Sequence, residues 1–150
     1  MKDDMTESII EGLRAGEVSI VGSTAEDGEF DFYIEDIYDT IELMTLNTKK
    51  KVLCWLSKQC KDYADRGISQ ISTSIPNDQV SLELFDAKKY DLDDVFNRTL
   101  EYYSMMDVIV VDCYGIIDYS KEKKSEKNSK AFQVFAKEIK IPILLFVPDT

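Results

Sequence analysis

Apolar positions follow two rhythms along this chain. Short apolar runs at 18–21, broken only by Ser19, and at 52–56, 108–111 and 143–147, which are unbroken, alternate with stretches in which apolar residues recur every three or four positions. An unbroken run is what a strand shows when both faces of its sheet are covered. The three-and-four spacing marks one face of a helix. Phe30, Ile34, Ile37, Ile41 and Met44 predict a helix over about 31–46, with that stripe as core packing. A second helix is capped by Asp91 and carries Leu92, Val95, Phe96, Thr99, Leu100 and Tyr103 on its inner face. A third carries Phe132, Phe135, Ala136 and Ile139 and ends at Pro142. Shorter helices are predicted over 6–12, capped by Thr6, and over 58–66, where Gly67 is the terminating residue. Residues 80–85 alternate apolar and polar, as in a half-buried edge strand. Residues 68–79 are polar and rich in turn formers and read as a loop. The segment 121–130 holds five Lys against Glu122 and Glu126, and reads as a mobile loop leading into the first turn of the third helix.

Strands alternating with helices imply an α/β sandwich with a mainly parallel sheet. At 150 residues the chain fits a single domain that buries roughly two thirds of its unfolded surface. Ligands in such folds sit at the carboxyl ends of the strands, so residues just after each strand are where chemistry is sought.

Composition narrows that chemistry. The chain has no His, which removes the commonest general base and the commonest transition-metal ligand. Cys54, Cys60 and Cys113 show neither pairing nor C-x-x-C spacing, so they read as buried thiols and not as a disulfide frame or zinc site. A net charge of −11 argues against direct contact with nucleic-acid phosphates. The imbalance is local as well: from Ala15 to Thr48 there is no Lys or Arg but nine acids, among them Asp31, Glu35, Asp39 and Glu42. Those four read either as a solvated helix face or as a docking face for a basic partner. No apolar run approaches the roughly 20 residues of a bilayer span. The acidic start MKDDMTESII lacks a secretory pattern, so a cytoplasmic protein is expected.

The stretch 12–30, GLRAGEVSIVGSTAEDGEF, places a strand and loop where a nucleotide-binding protein of this shape keeps its phosphate loop. That loop reads G-x-x-x-x-G-K-[ST], with backbone N–H groups cradling phosphates, a Lys reaching them and a hydroxyl on Mg²⁺. Here the corresponding positions are Ser23, Gly28, Glu29 and Phe30. Glu29 opposes phosphate oxygens and Phe30 offers no oxygen to a metal. No cofactor and no metal are expected. Asp112, after the most apolar strand, reads as a carboxylate capping the following turn, with a hard cation as the minor alternative.

Five segments in order then resemble the RecA-like ATPase domain of DnaB-type replicative helicases: GLRAGEVSIV at 12–21, KKVLCWLSK at 50–58, LELFDAKKYDLDDV at 82–95, DVIVVDCYGII at 107–117 and FAKEIKIPILLF at 135–146. The resemblance implies a RecA-like three-layer sandwich whose strands lie in the spatial order 80s, 50s, 107–112, 141–147, 17–22. It also implies that most functional positions are degenerate. The phosphate-binding Lys falls on Glu29, the hydroxyl residue on Phe30 and the catalytic Glu on Lys58. The nucleotide-sensing Gln falls on Pro148 or its neighbour. Only Gly28 and the Walker B Asp, here Asp112, are kept. Because Lys and Glu have exchanged places, Glu29 and Lys58 are expected to approach each other across the vacant site. Strands bearing DNA-contacting loops and an arginine finger do not follow, so a helicase acting alone is not expected.

Three functional expectations result. The first is a catalytically inactive RecA/DnaB-like protein that binds other proteins in DNA replication or recombination: a replicative helicase, its loader, or further copies of itself. The second is a nucleotide or metal-ion sensor using a non-standard site around Asp112. The third is an acidic nucleic-acid mimic that blocks a DNA-binding protein. Tyr102, Tyr103, Tyr114 and Tyr119 read as core or interface aromatics rather than base-stacking platforms.

Overall fold

A computed structural model of the chain describes residues 10–24, 37–57, 78–85, 92–112 and 122–149. Its strands are β1 (Val18–Thr24), β2 (Val52–Ser57), β3 (Val80–Phe85), β4 (Val108–Asp112) and β5 (Ile143–Asp149). Its helices are α1 (37–47, closing in the π-helical turn Leu43–Asn47), α2 (Leu92–Thr99) and α3 (Glu122–Ile139). A short 3₁₀ turn, Tyr103–Met105, precedes β4. The strands form one sheet in the order β1-β5-β4-β2-β3, with every neighbouring pair parallel. This is an α/β sandwich, and its strand order is the one the sequence resemblance implied.

Side chains leave a strand alternately to its two faces, and here both faces are covered. On one, Val52, Cys54, Leu56, Val108, Val110, Leu144 and Phe146 meet Ile37, Tyr38, Ile41 and Met44 of α1, with Ile10 and Leu13 packed alongside. On the other, Leu53, Trp55, Ile109, Val111, Ile143 and Leu145 meet Val95 of α2 and Phe132, Phe135, Ala136 and Ile139 of α3. Phe96 joins α2 to α3: its ring stacks on Phe135 at 4.4 Å and meets Phe132 edge-on at 5.2 Å. Such aromatic pairs contribute about 0.5–1.5 kcal/mol beyond burial.

The lower ends of the strands are tied backbone to backbone. The Ile143 N–H donates to Glu17, that of Ile109 to Pro142, and that of Val52 to Gln79. The Lys51 N–H donates to the Asp107 carboxylate at 2.8 Å, while Asp107 N–H returns a bond to the Lys51 carbonyl. Gly16 stands at φ +79 in the turn before β1, against the α3 backbone at Ala136 and Lys137. A side chain at Gly16 would be strained by that φ. At the end of α1, the Thr45 hydroxyl donates back to the Ile41 carbonyl at 2.8 Å. This kind of back-bonding competes with the helical ladder, and the ladder here widens into its π turn.

Three expectations change. Residues 122–130 of the Lys-rich segment are helical and not a loop: α3 begins at Glu122 and runs unbroken for 18 residues. Lys and Glu are good helix formers, Glu122 suits the positive end of the helix dipole, and Glu126 precedes Lys130 by four residues. Leu100, assigned to the inner face of the second helix, is 46% exposed. The helix stops at Thr99, whose carbonyl accepts the Tyr102 N–H, so the three-and-four rhythm ends and Tyr102 packs inward in its place. β1 and β5 each extend to seven residues, past the predicted 18–21 and 143–147. Of the helix predicted over 6–12, the described end is helical at Ile10 and Glu11 and turns at Gly12; its start, the helix predicted over 58–66, the start of that over 31–46, the Asp91 cap and most of the loop 68–79 lie outside the described residues. Among the described residues, no helix is long and apolar enough to cross a membrane.

Phe132 is 1% exposed and Leu100 is 46% exposed. Urea unfolding should therefore show Phe132→Ala losing about 3–5 kcal/mol, with Leu100→Ala within about 0.5 kcal/mol of wild type. Similar losses for the two would mean that the α2–α3 face is not packed as described.

Candidate functional site

In a parallel sheet all carboxyl ends lie on one rim, and here that rim collects Ser23 and Thr24 of β1, Ser57 of β2, Asp112 of β4 and Asp149 of β5. The register fixes their heights. Val21 is paired with Phe146, and Phe146 with Asp112, so these three share a row. With strands about 4.8 Å apart, Asp112 stands about 10 Å from β1. Ser23 is two residues higher, opposite Pro148. Of the phosphate-loop positions, the structure thus places Ser23 on the rim of the first strand. Gly28, Glu29, Phe30 and Lys58 lie outside the described residues, and so does the expected Glu29–Lys58 approach.

Asp112 is fully buried. Its position in β4 gives it the same face as Val108 and Val110, the layer that also holds Cys54. The Cys54 thiol is pushed far up from its usual value, first by burial and then by the nearby Asp112 charge. A thiol held protonated in this way is neither nucleophile nor ligand. Asp112 has partners within the chain and is not a free carboxylate. Among the described residues, no group of three or more His, Cys, Asp or Glu could hold a metal ion. Of the acidic-face residues, Glu42 is exposed on α1 and Asp39 is half-buried. Asp31 and Glu35 lie outside the described residues.

A second polar constellation, at the opposite edge of the sheet, was not anticipated from the sequence. β3 pairs with β2 so that Glu83 stands beside Trp55, and α2 passes over both. The Trp55 indole N–H donates to the Thr99 hydroxyl at 3.0 Å, which in turn donates to the Val95 carbonyl at 2.7 Å. One oxygen of Glu83 accepts the Tyr102 hydroxyl at 2.6 Å and the Arg98 Nε–H at 3.1 Å. Arg98 also bridges to Glu101 and lies over the Tyr102 ring, 5.5 Å from its centre. Trp55, Glu83, Leu84, Asp94, Val95, Asn97, Arg98 and Glu101 line a cleft of about 280 Å³. The available signal was an acid at an alternating position of a strand, with an Arg one helix away. Spacing alone could not say that α2 covers that face.

The hydrogen bond from its hydroxyl to Glu83 is the main cause raising the Tyr102 pKa, with desolvation and the Glu83 charge adding to it. Arg98 is likewise held charged, chiefly by the charge of Glu83. Two donors meet one oxygen of Glu83, and the cluster braces β3 against α2 and the turn after it.

No family model matches the chain, and no curated protein matches it either.

The Tyr102 effect has a definite sign. A phenol whose folded pKa is raised lends stability below its unfolded value, near 10, and loses it as pH rises through the folded value. In ultraviolet titration, Glu83→Gln should bring one of the eight tyrosines to a lower pH than in wild type. Superimposable titrations would remove the Tyr102–Glu83 hydrogen bond. Thr99→Val, which leaves the buried Trp55 N–H unpaired, should cost about 1–3 kcal/mol in urea unfolding followed by fluorescence of the only Trp. A change under 0.5 kcal/mol, by order of magnitude, would mean that the indole is satisfied elsewhere.

Proposed function

We propose that this chain is a catalytically inactive RecA/DnaB-like protein that acts by binding other proteins in DNA replication or recombination, with a replicative helicase or its loader as the partner. The observation that carries the reading is the phosphate-loop sequence. In the sequence after the strand that starts the order β1-β5-β4-β2-β3, Glu29 and Phe30 stand where the resembling family has its phosphate-binding Lys and metal-binding hydroxyl. Phosphoryl transfer rests almost wholly on charge placed around the phosphates. A reversed charge there, with Lys58 at the position of the activating carboxylate, supports loss of ATP chemistry. Asp112 supports the same reading, because its carboxylate is buried and partnered. The net charge of −11 favours protein partners over direct contact with DNA.

Calorimetric titration with ATP, ADP and a non-hydrolysable analogue, each with and without Mg²⁺, should give no binding heat. Immobilised protein should then retain a replicative helicase or its loader from mixtures of purified replication proteins. Saturable Mg²⁺-dependent nucleotide binding would overturn the reading in favour of a nucleotide sensor with a non-standard site.

A further inference from the structure

The two edges of the sheet are guarded differently. At the β3 edge, Glu83 is clamped by Arg98 and Tyr102, placing charge and bulk beside the strand. Such charges hinder further strand addition. Among the described residues, the β1 edge has no such device. Its sequence, VSIVGST, contains no charge and no Pro, and Ile20 is 56% exposed. No strand among the described residues pairs with its outer side. The Glu17 carbonyl accepts the Ile143 N–H and so points to β5. Peptide groups alternate in direction along a strand, which turns those of Val18, Ile20 and Gly22 outward.

On the face that carries Val18 and Ile20 the nearest helix is α3, while the exposed Glu17 alternates to the other face. α3 joins the parallel strands β4 and β5 and therefore runs antiparallel to them. Its Lys137 backbone lies against Gly16, just below β1. Lys130 is two turns earlier on nearly the same side, about 10.5 Å up the sheet. At about 3.3 Å per strand residue, that brings it level with Ser19 and Ile20. Both lysines are exposed. Two copies paired antiparallel through β1, with their cores on matching sides, would set these lysines against each other.

We propose that the outer edge of β1 is a docking site for an extended segment of a partner protein whose side chains alternate between apolar and acidic. Its backbone adds a strand beside Val18–Thr24, its apolar side chains cover Ile20, and its carboxylates meet Lys130 and Lys137. The site deepens the protein-binding reading above and rests on it for its role. Nucleotide binding in calorimetry would sink that reading and leave the present result standing.

The test is fluorescence polarisation with a short labelled peptide alternating Val and Glu, against one alternating Val and Lys. The acidic peptide should bind saturably and the basic one should not. Ile20→Pro removes the outward N–H together with the exposed Ile side chain, leaves the β1–β5 ladder in place, and should weaken binding roughly tenfold or more. Lys130→Glu with Lys137→Glu, on the exposed side of α3, should reverse the peptide preference and provides the test if Ile20→Pro unfolds. Three results would overturn the proposal: no binding of the acidic peptide, equal binding of both peptides, or a dimer in sedimentation that Ile20→Pro dissolves. The last would assign the edge to a second copy of the chain.

Discussion

Every residue of β4 from Val108 to Asp112 is buried, and so are Val52–Leu56 of β2 and Ile143–Phe146 of β5. With both faces of the sheet roofed by helices, little polar chemistry can be placed in the middle of the molecule. A polar atom there must be satisfied inside the protein or be costly. Trp55 with Thr99, Thr45 with Ile41, and Asp112 with its partners all follow this rule. Whatever this protein recognises must therefore be met at its surface and not within the sheet. The interior supplies rigidity.

That constraint also explains why so much of the fold could be read from the chain. The apolar runs at 52–56 and 108–111 have no polar alternation because helices cover both sides, and the five resembling segments arrange them in the observed order. Residues 80–85 alternate because their strand stands at the edge. Where the reading failed, tertiary context competed with local pattern. The lysines of 121–130 suggested a solvated loop, yet long straight side chains suit an exposed helical turn equally well. Leu100 kept the helical rhythm in the sequence, but the chain leaves the helix one residue earlier and Tyr102 takes the inward place.

The candidate site was less legible than the fold. The expectation of reversed charge at Glu29 and Lys58 rests on the resemblance and on residue types alone. What pattern could not supply is the environment of each group. The sequence marked Asp112 as the end of a strand, but only the packed layers show that it shares a dry compartment with Cys54. The Glu83–Arg98–Tyr102 cluster joins residues from a strand and from a helix and the turn after it, and a contact of this kind has no periodicity to betray it.

The pairing of β1 with β5 joins the earliest described strand to the last, Val18 to Ile143. During synthesis at about 5–20 residues per second, β1 leaves the ribosome roughly 6–25 s before its only described sheet neighbour. Through that interval the uncharged strand has Ile10, Leu13 and the α1 layer as native apolar company, and no ladder to join. Closure of this long loop must therefore wait for the 125 residues that separate Val18 from Ile143, which sets a lower limit on when the sheet can be completed in the cell.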